Sequence, residues 1–146
     1  MKFQRAGVDD PTQIQKISKT ITFTGAAGAG DVGLVTVFTL SGLSYCVKCL
    51  IWCTSDLISA GGGSVSLGST ANVVGLIAAT TATTIDTGEM WLTNAPGVGT
   101  IAVPSVMSNA FWGSTISIDV TVAAVTGGVL NFYLEYIPIS AGATVT

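Results

Sequence analysis

Cys46, Cys49 and Cys53 stand within eight residues of one another, and the 146-residue chain contains no other cysteine. Thiolates bind zinc, and Cys-x-x-Cys is a common half of a structural zinc site. Such a site wants four ligands, and the sequence has no histidine. The spacing also fails on a strand. Side chains alternate along an extended segment, so Cys46 should face away from Cys49 and Cys53. Those two should lie a strand-length apart, which opposes a disulfide as well. The three are therefore expected to pack as small hydrophobes, with no metal bound. A metal site shared between subunits is the alternative, and zinc in the purified protein would reveal it.

Other chemistry has little to work with. A Ser or Thr nucleophile without histidine needs a lysine or an amine as base. Lys48 is the one basic residue beyond Lys19. Paired carboxylates for glycoside chemistry would have to come from Asp56, Asp86, Glu89, Asp119 and Glu135. Asp119 and Glu135 could be neighbours, yet scattered solvent acids explain all five more simply. The small-residue run Gly25 to Gly30 is not followed by Gly-Lys-Ser/Thr, so a phosphate loop is rejected. Trp52, Trp91 and Trp112 could stack sugar rings, but tryptophan more often anchors a core or an interface. The chain is read as no enzyme and as needing no cofactor.

The elements that would position these residues are strands. Ile116, Ile118, Val120 and Val122 share one parity, and Leu130, Phe132, Leu134 and Tyr136 share one parity after Gly127-Gly128. Each run can bury one face and wet the other. With Val125 to Gly128 as the turn, residues 113–138 predict an antiparallel hairpin. Upstream, Lys19 to Thr24 and Gly33 to Leu40 alternate. Leu43 to Thr54 is apolar on both faces and reads as a central strand, its Lys48 snorkelling or paired with an acid. Val73 to Ala79 is too short for periodicity to separate strand from helix. Gly88 to Leu92 begins another strand. Ile139 to Thr146 reads as a loose tail. About eight or nine strands joined by Gly-, Ser- and Thr-rich turns predict an all-β chain, an antiparallel β-sandwich of jelly-roll type. Residues 1–19 are expected to form an extended N-terminal arm, and residues 20–146 a single β-sandwich domain.

Composition says what such a sandwich must do. Hydrophobic residues make up 49% and charged residues 9%, against roughly 25% charged in ordinary soluble domains. The most apolar stretch, Val32 to Ile58, is interrupted too often for a transmembrane helix. The simplest place for the surplus apolar surface is an interface between subunits, which is depleted in charge. Charge is also unevenly placed. Lys2, Arg5, Lys16 and Lys19 all fall in the first nineteen residues, giving that segment +2 and the remainder −5. A basic arm on an acidic body could bind an acidic partner surface or a neighbouring copy. No basic stripe suits nucleic acid, and no membrane partner is expected.

Several stretches resemble small structural proteins of tailed-bacteriophage virions. They are Gly33-Leu-Val-Thr-Val-Phe-Thr-Leu-Ser-Gly with Leu43 to Cys53, Val65-Ser-Leu-Gly-Ser-Thr-Ala-Asn, Thr87-Gly-Glu-Met-Trp, and Gly128-Val-Leu-Asn-Phe-Tyr-Leu-Glu-Tyr-Ile-Pro. The likeness spans residues 20–140 and lies in style and strand order. Within that class the chain resembles jelly-roll capsid decoration (cement) proteins, which bind the capsid exterior as trimers. The resemblance implies a homotrimer held on a major capsid protein. The arm, through Lys2, Phe3, Arg5, Lys16 and Lys19, would be a plausible capsid contact. The competing expectation is a carbohydrate- or receptor-binding module of a phage tail or capsid surface.

Overall fold

In a computed structural model, which describes residues 13–146, the chain folds into two facing four-stranded antiparallel sheets. The strands are β1 (Gln15–Thr22), β2 (Gly33–Phe38), β3 (Leu40–Ser41), β4 (Ser44–Ile58), β5 (Ser64–Ser69), β6 (Asn72–Thr81), β7 (Ser108–Trp112), β8 (Ile116–Thr121), β9 (Gly127–Pro138) and β10 (Thr144–Val145). One sheet has the order β1-β9-β4-β7, the other β2-β8-β5-β6, and β3 pairs with β10 in a small ladder. Set aside the two-residue strands β3 and β10, and each connection from β1 to β2, β4 to β5 and β8 to β9 crosses between sheets. That winding is the jelly roll expected from the sequence.

The core lies between the sheets and is made by alternation. Leu130, Phe132 and Leu134 of β9 are buried, as are Ile116, Ile118 and Val120 of β8. Phe38 of β2 meets Phe132 of β9 edge to face, with ring centroids 6.1 Å apart, the arrangement that the ring quadrupoles favour. The parity read from the sequence therefore holds for both strands.

Their pairing does not. β8 pairs with β2 and β5, and β9 with β1 and β4, so residues 113–138 form no hairpin. The segment between them crosses from one sheet to the other. Period two specifies which face is buried, and a facing sheet buries it as well as a partner strand would. Val122, expected on the inner parity, is 77% exposed with φ of 72° at this crossing. Gly128 carries φ of 110°, and a Cβ there would lie 2.5 Å from Leu57 Cδ2 and 2.6 Å from the Asp56 carbonyl oxygen.

Two further boundaries move. β1 starts at Gln15, so Lys16 and Lys19 belong to an ordered edge strand rather than to an arm ending at residue 19. Ile17 and Ile21 pack against the core, and the lysine between them disguised their shared face. Lys2, Phe3 and Arg5 lie outside the described residues. The tail is not loose at its end either. Val145 is buried, and Thr39 and Thr146 exchange backbone hydrogen bonds of 2.8 and 3.0 Å.

Candidate functional site

The cysteines lie on β4, and all three point inward. Between the pairs Cys46–Tyr136 and Lys48–Glu135, β4 has one residue more than β9. This bulge at Val47 puts two successive residues on the outer side, so Cys49 returns to the face of Cys46. The expected opposition of Cys46 to Cys49 and Cys53 is thus corrected. Burial pushes the Cys46 thiol up to about 12 from its ordinary 9.0, and pushes Cys49 well up. Cys53 is raised by burial too, although the Ser55 backbone lowers it in part, and its thiol donates to the Ser55 carbonyl at 3.0 Å. A thiol held protonated is a poor nucleophile and a poor ligand. Among the described residues, no three His, Cys, Asp or Glu side chains converge as a metal group.

The acids separate. Asp119 sits on β8 beside Leu34 and Ser66, in the sheet opposite Glu135. Glu135 instead meets Lys48 Nζ at 3.8 Å and accepts 2.7 Å from the Tyr133 hydroxyl, which raises the Tyr133 pKa. Lys48 therefore has its acid, as its place in an apolar strand suggested. Asp56 accepts from the Thr87 hydroxyl at 2.6 Å and from its N–H at 2.7 Å, which together hold its carboxyl below the usual range.

Two of the tryptophans are core. Trp91 is fully buried and donates from Nε1 to Thr80 Oγ1 at 3.0 Å. Trp112 is buried and donates to the Val106 carbonyl at 3.3 Å. Trp52 is the partly exposed one. Beside it, Asn131 accepts from Thr20 at 2.9 Å and donates to Thr54 at 2.9 Å.

The feature that sequence reasoning missed is an apolar row at one end of the outer face of sheet β1-β9-β4-β7. Tyr45 stands in register with Phe111 on β7 and with Ile137 on β9. The Tyr45 and Phe111 rings meet edge to face at 5.2 Å, yet Phe111 remains 66% exposed. Leu43 and Ile139 are also exposed and are tied by a backbone hydrogen bond from Ile139 to Leu43. Ile14, exposed, directly precedes β1 at the same end. The next outer row is Lys16, Glu135 and Lys48. A cleft of about 230 Å³ opens beside Phe111, lined among others by Leu76, Trp112 and Ile116. Only the register of three strands assembles the row.

The opposite end of the sandwich has the other character. Asp31 and Val32 precede β2, Asp56 and Ile58 close β4, and Val122 follows β8. The backbone ties them together, with Val125 N–H on the Gly30 carbonyl at 2.7 Å and Thr126 N–H on the Ile58 carbonyl at 2.8 Å. Leu57 N–H reaches the Ile85 carbonyl, which places Asp86 there too. Val32, Ile58 and Val122 are each more than half exposed. None of the three described lysines stands at this end. No protein-family model, no curated protein and no solved structure matches the chain.

Proposed function

We propose that the chain is a non-enzymatic structural subunit of a virion, a decoration protein that sits on the outside of a phage head as a homo-oligomer, with a trimer favoured. The observation that carries this reading is the row of Tyr45, Phe111 and Ile137 on an ordered sheet face, in which Phe111 is exposed and Tyr45 and Ile137 are half-buried. Rigid strands display these side chains, so they suit burial against a second ordered surface. The jelly-roll winding is one that viral capsid domains use. The acids are spread over both sheets and the thiols are buried and protonated, which favours a subunit over a catalyst.

The work of such a protein is thermodynamic. A subunit that binds the assembled shell, and not its dissociated parts, stabilises the shell by mass action. Mixing the purified protein with undecorated phage heads tests this. Saturable binding that raises the temperature of head disruption supports it, and the absence of binding to any head defeats it.

The second reading is a carbohydrate- or receptor-binding module, and partly exposed Trp52 favours it. Asn131 beside it already spends both ends of its amide on Thr20 and Thr54, which leaves fewer groups to read a sugar. Selective signals on a glycan array would reverse the order of the two readings.

A further inference from the structure

Resting on the reading of this chain as a self-associating subunit, we infer that the copies join end to face. The loop end of one copy, with Val32, Ile58 and Val122, docks on the row of Tyr45, Phe111 and Ile137 of the next copy.

Charge complementarity selects this occupant. Both surfaces expose apolar side chains, but their rims differ in sign. The row is bordered by Lys16 and Lys48, with Glu135 between them. The loop end carries Asp31, Asp56 and Asp86, and none of the described lysines. Pairing like with like would set acids against acids, or lysines against lysines, which complementary interfaces avoid. A copy cannot satisfy itself either. Tyr45 and Ile58 lie near opposite ends of β4, roughly 40 Å apart at about 3.3 Å per residue. The contact must therefore be with a second copy, and it is heterologous. Heterologous contacts close into rings when the rotation allows, or run on as filaments. A closed ring of three is the form that agrees with the proposed trimer.

The test uses two charge variants of the full chain, followed by size exclusion with light scattering at low and high salt. One is Lys16→Glu with Lys48→Gln. The other is Asp31→Lys with Asp86→Lys, which leaves the hydrogen bonds of Asp56 to Thr87 untouched. Each variant alone is expected to associate at least tenfold more weakly than wild type. An equimolar mixture is expected to recover association as pairs and even-numbered species of alternating variants. Every contact between unlike variants again joins opposite signs, whereas a ring of three would keep one like-signed contact. Recovery also proves that both variants are folded. If either variant assembles as well as wild type, or if the mixture stays dispersed while wild type assembles, the end-to-face contact is wrong and self-association stands. If wild type itself is dispersed and binds no head, the proposed function fails instead.

Discussion

Cys46 and Cys49 point to the same side of β4 although three positions separate them, because Val47 is an extra residue opposite β9. The consequence is a pH dependence. Each thiol is neutral in the folded chain, and burial raises its pKa above 9.0. The unfolded chain loses those protons near its ordinary thiol pKa, so above it the folded state binds more protons than the unfolded one. Stability is then complete below about pH 9 and falls as pH rises toward the folded values. Urea midpoints measured from pH 7 to pH 11 should decline only above about pH 9. Cys49→Ala should make the decline shallower. A decline of equal slope in that variant would contradict the burial argument.

Gly128 and Val122 flank one crossing and should respond in opposite directions. Gly128→Ala places a Cβ against Leu57 and the Asp56 carbonyl at positive φ. A loss of about 2–4 kcal/mol is expected, the range of steric overpacking combined with backbone strain. Val122 is a β-branched residue with positive φ in open solvent. Asparagine tolerates that region, so Val122→Asn should gain about 1 kcal/mol. Thermal and denaturant unfolding of both variants checks the pair.

The crossing also shows what the sequence could and could not reveal. Alternation in Ile116 to Val120 and Leu130 to Leu134 marks the buried faces, and those faces are buried. It carries no information about partners, so two strands adjacent in sequence looked like a hairpin when they belong to different sheets. Bulges were equally invisible. One extra residue at Val47 reverses the parity from there through Cys53, which is why the three cysteines were placed on two faces. The apolar row escaped for a different reason. Tyr45, Phe111 and Ile137 come from three strands distant in sequence, and only their register makes them neighbours.

Thr80 has a structural task that its Thr-rich surroundings hid. Its hydroxyl accepts the indole N–H of fully buried Trp91 at 3.0 Å. Thr80→Val keeps the shape and removes the acceptor, which should cost about 1–3 kcal/mol by stranding a buried donor. Thr80→Val combined with Trp91→Phe should cost less than the sum of the separate changes, because the stranded group is gone. Additive losses in that cycle would contradict the bond.

Phe111 offers the cleanest separation of folding from assembly. It is exposed on an edge strand and loses only its cross-strand contact with Tyr45, so Phe111→Ser should destabilise an isolated subunit by no more than about 1 kcal/mol. The same change removes the most exposed ring of the row, and self-association should weaken at least tenfold.

The central claim is that the partly exposed row around Phe111 is covered by another body. Light scattering on the full chain across a wide range of concentration, beside Phe111→Ser, measures this most directly. A discrete oligomer of wild type that persists on dilution, with the variant falling to single subunits, is the predicted result. Single, well-folded subunits of wild type at the highest concentration, with no affinity for phage heads, would contradict it.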